Sequence, residues 1–331
     1  MYELTSNEPS MSVYTHISEP VLKHLLARYE LGQLASYKAI EAGIENTNYF
    51  VTTTAGEFVL TLFEHHPADE VAQFVRLANH LGKTGTMPVP APIADQQGVW
   101  LHELLTKPAV LCARLPGEHV SQPQHRHCQL IGAGLAELHL AAESLQPAIA
   151  NERGFDWWVS MADTLCGQLP AEDLALVHDE VNFQRQQRTE WMGLPHGWIH
   201  GDLFHDNALF AVSEHELKLG AILDLYNACH DAWLFDLAIV ANDWCCDSSG
   251  NWTSGLLEAL LKGYQSVRPL TDAEKQLWST ALRAAALRFW LSRLLTQRLQ
   301  ARQPGAVMIT KDPNEYRIKL SLRRLQPDTI L

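Results

Sequence analysis

A short acidic segment, "HGDLFHDN" at residues 200–207, interrupts a region that is otherwise dominated by helical patterns. The apolar run "GWI" precedes this acidic loop, the β-prone run "ALFAV" follows it, and a second run, "GAILD", ends in Asp224. Because paired strands lie about 5 Å apart, the oxygens of Asp202, Asn207 and Asp224 can meet at one edge of a hairpin. Asp and Asn are also common turn residues, but the joint pattern favours a single functional site.

The residues before the acidic loop divide into two parts. Short β-prone runs, "YKAI", "NTNYFVTTT" and "EFVLTLFE", alternate with helical patterns up to residue 115, and "GVWLHEL" with "PAVLCARL" predicts a further hairpin. The turn-rich stretch "PGEHVSQPQ" then marks a boundary, and long helical patterns follow it. We therefore predict an α+β fold with two lobes: a small lobe with an antiparallel sheet at residues 11–115 and a larger, mainly helical lobe at 116–331.

Composition excludes several classes of protein. A chain of 331 residues with 47% hydrophobic residues can bury a sizeable core. The net charge of −13 and the lack of a basic run argue against nucleic acid as a partner. No apolar run is long enough to cross a membrane, and the polar residues 1–10 do not resemble a signal peptide. We expect this N-terminal extension to be disordered and the six cysteines to be buried, reduced thiols of a cytoplasmic protein. The oligomeric state is not predictable from the sequence.

The acidic side chains suit a metal-dependent transfer of phosphate. Carboxylate and amide oxygens are the ligands that Mg²⁺ prefers, together with phosphate oxygens. The spacing Asp-x-x-x-x-Asn followed by a later Asp is that of the catalytic loop and metal-binding Asp of protein kinases. This pattern predicts Asp202 as the base that accepts the proton of an attacking hydroxyl, with Asn207 and Asp224 as metal ligands. His200 is expected to brace the acidic loop, and Asp236 either binds its backbone or lies near a helix start.

These motifs resemble those of the aminoglycoside-phosphotransferase-like kinases, which are relatives of protein kinases that phosphorylate small molecules. Within that family the resemblance is to homoserine kinase, and it runs from Met11 to about Arg324. It is carried by "HGDLFHDN … ILDLY" together with segments such as "GIENTNYFV", "NERGFDWW", "NDWC" and "LRFWLSR". The resemblance implies ATP, Mg²⁺ and homoserine, with O-phosphohomoserine as the product on the route to threonine.

The same resemblance implies where the nucleotide binds. The segment 41–51 takes the place of a glycine-rich phosphate loop, with Gly43, Asn46 and Asn48 as its candidates. The strand lysine that protein kinases use to hold phosphates is replaced by Thr61, since no lysine occurs from residue 39 to 82. The backbone at Cys112 and Arg114 is expected to face the adenine ring.

An acceptor such as homoserine carries one carboxylate and one ammonium group. An arginine fork suits the carboxylate and an acid suits the ammonium. Arg288, Arg293 and Asp243 are the candidates for these contacts. Two alternatives remain open: a kinase of another alcohol (choline, ethanolamine, a methylthio-sugar or an aminoglycoside), or a kinase-like protein that binds nucleotide without catalysis.

Overall fold

The computed structural model describes residues 15–40, 46–84, 87–146, 149–302 and 311–326. The predicted N-terminal extension, 1–10, and the candidate Gly43 lie outside these residues. The described part of the chain forms two compact units. The first contains the described residues among 15–75, 91–114 and 300–302, and the second contains those among 76–90, 115–299 and 311–326.

A five-stranded antiparallel sheet forms the first unit. Its strands are β1 (Leu34–Ile40), β2 (Asn46–Thr53), β3 (Gly56–Phe63), β4 (His102–Leu104) and β5 (Lys107–Ala113), in the order β1-β2-β3-β5-β4. Successive side chains of a strand point to opposite faces. One face, which includes Tyr49, Leu60 and Leu111, packs against helix α1 (Glu19–Leu26) to form a buried core. The strands predicted from "YKAI", "NTNYFVTTT" and "EFVLTLFE" and the hairpin β4–β5 are thereby confirmed.

Helices dominate the second unit, and a large apolar core lies among them. The helices that follow α1 are α2 (Ala68–Thr84), α3 (His125–Ala142), α4 (Phe155–Leu165), α5 (Ala171–Gln186), α6 (Arg188–Met192), α7 (Trp233–Trp244), α8 (Leu256–Val267), α9 (Asp272–Gln276), α10 (Trp278–Arg302) and α11 (Pro313–Leu325). Helices α8 and α11 were not predicted from the sequence. The apolar spacing of Leu256, Leu257, Leu260, Leu261 and Tyr264 nevertheless carries a helical signal for α8.

Two small strand pairs lie within this helical unit. Strand β7 (Ala208–Ser213) pairs with β8 (Glu216–Ile222), which confirms the predicted hairpin after the acidic loop. Strand β6 (His196–Ile199), which leads into the loop, pairs with β9 (Cys229–Ala232). Strand β9 was not predicted from the sequence, because a four-residue strand held by a distant partner has little local signal.

Helices α3 and α8 approach each other closely because glycines lie at their contact. A Cβ atom at Gly132 would stand 2.3 Å from the carbonyl oxygen of Leu260, and one at Gly263 would stand 2.0 Å from that of Gln129. Only glycine fits at such distances, so the two backbones can pack in direct contact. This approach brings His139 of α3 within hydrogen-bond distance of Tyr264 of α8.

All six cysteines lie within the described residues, and none of them forms a disulfide. Four of them, Cys112, Cys128, Cys229 and Cys245, are buried, as expected. Cys246 is half-buried and Cys166 is exposed, so the expectation of a buried thiol is wrong for Cys166 and only partly met by Cys246. Cys166 directly follows the last residue of α4, where the helix ends at the surface. Among the described residues, none of the helices is both long and apolar enough to cross a bilayer.

Candidate active site

The acidic loop follows β6 and ends in a single 3-10 turn, His205–Asn207, which leads into β7. Its path depends on Gly201, whose φ is +74°. A Cβ atom there would lie 2.7 Å from the carbonyl oxygen of Asn227, so both the backbone angle and the space require glycine. The loop therefore turns tightly, directly before Asp202.

A buried carboxylate holds the loop backbone. Asp236, in the first turn of α7, accepts a hydrogen bond from the backbone N–H of His200 at 2.6 Å and from that of Gly201 at 2.9 Å. His139 Nε2 lies 3.0 Å from the same carboxylate. Burial alone would raise the pKa of Asp236, but the hydrogen bond from His139 and its other donors hold that pKa below its ordinary value. Of the two interpretations of Asp236, the structure shows contact with the loop backbone.

His200 braces the loop as a neutral ring. Its Nε2 lies 2.7 Å from the carbonyl oxygen of Leu223, and its Nδ1 accepts from the backbone N–H of Asp202 at 3.2 Å. A carbonyl oxygen only accepts, so Nε2 carries the hydrogen and Nδ1 the lone pair. Burial lowers the pKa of His200, which agrees with this neutral tautomer. His200 therefore ties Asp202 to the residue that precedes Asp224.

Asn207 and Asp224 lie at the same edge of the β7–β8 hairpin. Ala208 pairs with Ile222, and the backbone N–H of Leu223 donates to the carbonyl oxygen of Asn207 at 2.9 Å. The side-chain Nδ2 of Asn207 donates to the carbonyl oxygen of Asp202 at 2.8 Å, which leaves its amide oxygen available as a ligand. Asp224 is exposed and adopts the left-handed region with φ 54° and ψ 57°, a conformation that concentrates at functional sites.

The donor set at this edge suits Mg²⁺ better than a transition metal. It offers one carboxylate and one amide oxygen, both hard ligands. In the part of the chain that the structure describes, no cluster of three or more His, Cys, Asp or Glu side chains could hold a metal ion. A cation here would complete its coordination with water and phosphate oxygens, as Mg²⁺ commonly does.

A buried arginine lies beside Asp202. Arg288 of α10 places NH1 3.7 Å from Asp202 Oδ1, and its guanidinium lies over the ring of Phe289 at 3.8 Å. Burial lowers the pKa of Arg288 to about 10, while the charge of Asp202 opposes that shift. The side chain is therefore still cationic near neutral pH.

Arg293, the second arginine candidate, has different partners. Its NH1 donates to Glu315 Oε2 at 2.6 Å and to the carbonyl oxygen of Asp312 at 2.9 Å. Its guanidinium also lies 4.5 Å from the ring centre of Tyr316. Arg293 thus holds the start of α11 against α10, and the structure brings only Arg288 to Asp202.

Asp243, the candidate for the ammonium group, contacts the acidic loop itself. Its Oδ2 accepts from the backbone N–H of His205 at 2.7 Å and from His205 Nδ1 at 2.8 Å. The hydrogen bond that His205 donates to Asp243 raises the pKa of His205 above its ordinary value, against the effect of burial. Next to it, Trp244 Nε1 donates to the carbonyl oxygen of Leu203 at 3.0 Å. The end of α7 therefore fixes the middle of the loop.

In the sheet unit, the position expected for a phosphate-binding lysine carries a polar pair. Thr61 is buried, and its hydroxyl donates to Asn48 Oδ1 at 2.7 Å across the β2–β3 pairing. Asn46 Oδ1 accepts from the backbone N–H of Glu64 at 3.4 Å. These contacts are uncharged, so Thr61 supplies no positive charge to a phosphate.

The residues expected near adenine take part in sheet contacts. Cys112 pairs with Val59 of β3, and the backbone N–H of Arg114 donates to the carbonyl oxygen of Glu57 at 3.0 Å. The guanidinium of Arg114 lies 4.4 Å from the ring centre of Phe50. The backbone N–H of Arg114 is thus already used within the sheet unit, and a contact with adenine at this place stays a prediction.

Two residues that support the loop were not predicted from the sequence. His139 and Tyr264 are fully buried, and His139 contacts Asp236. For His139, the sequence offered one signal, a histidine on the apolar face of a predicted helix. The second lies on a helix that was not predicted.

Comparison with known proteins agrees with this geometry. A model of the phosphotransferase enzyme family matches residues 36–270. Homoserine kinase of Methylobacillus flagellatus is 41% identical over 303 residues, which is 92% of each chain. Homoserine kinase of Burkholderia thailandensis is 39% identical over 315 residues, 92% of this chain and 94% of that protein.

Solved structures share the fold at low identity. A microcompartment-associated aminopropanol kinase aligns with a TM-score of 0.68 and 16% identity, covering 94% of this chain and 98% of that one. An amicoumacin kinase complex aligns with a TM-score of 0.66 and 17% identity, covering 95% of each chain. The bilobal, protein-kinase-like fold class is thereby confirmed. Together with the family match and the two relatives, these findings show that the chain belongs to the phosphotransferase enzyme family and, within it, to the homoserine kinases.

Proposed function

We propose that this enzyme transfers the γ-phosphate of ATP to the hydroxyl of L-homoserine, which gives O-phospho-L-homoserine for threonine biosynthesis in the cytoplasm. The observation that carries the choice of acceptor is the 41% identity to a homoserine kinase across 92% of the chain. The acidic loop supports the chemistry, because its acids and amide occupy the spacing that phosphoryl transfer requires.

Asp202 is the proposed base. It orients the acceptor hydroxyl and takes its proton as the oxygen attacks phosphorus, while the bond to the leaving nucleotide breaks in line. Most of the rate enhancement in such a reaction comes from positioning. Three contacts support that positioning: Asp236 holds the backbone before Asp202, His200 Nδ1 accepts from its N–H, and Asn207 donates to its carbonyl oxygen.

Asn207 and Asp224 are the proposed ligands of Mg²⁺. A bound ion would offset the negative charge of the nucleotide phosphates. The protein supplies one amide oxygen and one carboxylate at the same hairpin edge, and the hydrogen bond from His200 to Leu223 fixes that edge relative to Asp202.

In this proposal the sheet unit supplies little positive charge to the phosphates of ATP. The uncharged pair of Thr61 and Asn48 stands where a lysine is usual, and Asn46 and Gly43 belong to the same proposed phosphate-binding segment. Neutralisation of phosphate charge then depends on the metal and on backbone N–H groups. We therefore expect nucleotide binding to depend more strongly on Mg²⁺ than in kinases that use the lysine.

Arg288 is the proposed group for the carboxylate of homoserine. It is a buried cation 3.7 Å from the base, and its guanidinium has further N–H donors to offer. A cation at this place repels choline and attracts an acceptor with a carboxylate. Arg293 is not assigned to the pocket, because its guanidinium already donates to Glu315 and to the carbonyl oxygen of Asp312.

A coupled ATP assay across several acceptors tests the proposal. Homoserine, choline, ethanolamine, a methylthio-sugar and an aminoglycoside are compared at equal concentration with Mg²⁺ present. We expect kcat/KM to be highest for homoserine by at least about tenfold, the scale of one charge-assisted contact. A preference for another acceptor rejects the assignment, and no turnover with any acceptor favours a protein that binds nucleotide without catalysis.

A further inference from the structure

A buried series of hydrogen bonds connects α8 to the acidic loop by way of α3. Arg268 NH1 lies 3.2 Å from Tyr264 Oη, which lies 2.8 Å from His139 Nδ1. His139 Nε2 lies 3.0 Å from Asp236 Oδ2. Arg268 is 7% exposed and the other three residues are 0% exposed. We call these four residues the buried relay; it ends at the carboxylate that holds the loop.

The direction of each hydrogen bond in the buried relay follows from chemistry. A guanidinium only donates, so the oxygen of Tyr264 accepts from Arg268. The ionised carboxylate of Asp236 only accepts, so His139 carries a hydrogen on Nε2. Burial lowers the pKa of His139, which keeps its ring neutral and makes Nδ1 an acceptor. The hydroxyl of Tyr264 therefore donates to His139 Nδ1.

The hydroxyl of Tyr264 reinforces the tautomer that Asp236 requires, because it donates to the nitrogen, Nδ1, that carries no hydrogen. Stacking on Trp233, with ring centres 5.6 Å apart and an interplanar angle of 7°, fixes the plane of the His139 ring. It does not determine which nitrogen carries the hydrogen. Without the hydroxyl, Nδ1 would be a buried acceptor with no donor, and the other tautomer would turn a lone pair toward Asp236.

The far end of the relay is fixed as well. Arg268 NH2 lies 2.9 Å and 3.0 Å from the two carboxylate oxygens of Glu274. Glu274 also accepts from the backbone N–H of Thr271 at 2.9 Å, within the capping box of α9. Tyr264 is thus held between a fixed donor and a fixed acceptor.

We propose that Tyr264 is a positioning residue for phosphoryl transfer, and that it acts through His139 and Asp236 on the backbone that carries Asp202. The residue touches neither the acceptor nor the nucleotide in this account. The inference rests on the proposed function, because it assigns Tyr264 to the reaction of that site.

The kinetic test uses Tyr264→Phe, which removes one oxygen and keeps the ring. We expect kcat to fall about threefold to tenfold, the effect of one lost buried hydrogen bond, with KM for ATP and homoserine changed less than about twofold. Tyr29→Phe is the control, because Tyr29 is 6% exposed and its hydroxyl has no hydrogen-bond partner within the described residues. Unchanged kcat in Tyr264→Phe overturns the proposal.

A double-mutant cycle tests the route. In a His139→Gln background, removal of the Tyr264 hydroxyl should have no further effect on kcat, since the ring through which it acts is gone. A full additional loss in that background means that Tyr264 acts by another route, which overturns the proposal.

Imidazole ¹⁵N NMR of the whole protein gives a measurement that is independent of turnover. His139 should be neutral with its hydrogen on Nε2 near pH 7, and its signal should change in Tyr264→Phe. A doubly protonated ring, the opposite tautomer or no changed signal overturns the inference. A wild type that does not phosphorylate homoserine rejects the proposed function instead, and the tautomer measurement still decides the role of Tyr264.

Discussion

Replacing Asp236 by asparagine keeps its shape and removes its charge. The carboxylate accepts from the N–H groups of His200 and Gly201 and from His139 Nε2. The amide can face two of these donors with its oxygen, but its NH₂ group then meets the third donor. One charge-assisted bond, worth about 1.5–3 kcal/mol, is lost and the others weaken. We expect a total loss of about 3–5 kcal/mol, a large part of the roughly 5–15 kcal/mol that usually stabilises a domain.

Thermal unfolding and turnover measure this effect. The expected fall in Tm is roughly 6–15 °C, with a fall in kcat because the backbone before Asp202 is no longer fixed. Asp206→Asn is the matched control in the acidic loop, since the exposed ion pair of Asp206 with Lys311 at 2.9 Å is worth at most about 1 kcal/mol. If the two variants unfold at the same temperature, Asp236 does not anchor the loop as described.

Three further predictions concern the site. Arg288→Met should lower kcat/KM for homoserine by about tenfold to a hundredfold and should hardly change kcat/KM for an amino alcohol without a carboxylate. Arg293→Met is the control and should leave the ratio of the two kcat/KM values unchanged. Equal losses on both substrates in Arg288→Met would show that Arg288 does not bind the carboxylate. Asp224→Ala should abolish the Mg²⁺ dependence of ATP binding in calorimetric titrations, and a retained dependence would make Asp224 structural. The pKa of His205 is raised by Asp243, so this pair stabilises the fold below the unfolded value of 6.5 and the effect is lost as pH rises through the folded value. The Tm difference between wild type and Asp243→Asn should therefore be larger near about pH 6 than near about pH 9, and an equal difference would contradict this.

Local patterns were sufficient to predict the sheet unit and the β7–β8 hairpin. Alternating apolar residues specify strands, and the acids next to them identify the candidate site. Other features depend on contacts between distant residues. The strand β9 forms only because β6 pairs with it. The different contacts of Arg288 and Arg293 depend on how α11 packs against α10.

The roles of buried polar residues were the hardest to foresee. A histidine on an apolar helix face could equally be a core residue, and its contact with Tyr264 depends on the glycines that let α3 and α8 approach. Asp243 illustrates the same limit, since an acid near the site could bind an ammonium group or the loop, and only the fold shows its contact with His205.

The most direct test of the account is a single-turnover measurement of phosphohomoserine formation from ATP and homoserine by the wild type and by Asp202→Asn. We expect Mg²⁺-dependent formation of O-phosphohomoserine by the wild type. In the variant we expect a rate about 10²–10⁴ times lower, the usual effect of a lost general base, with little change in ATP affinity. Product formation at similar rates in both proteins, or no phosphohomoserine from the wild type, would contradict it.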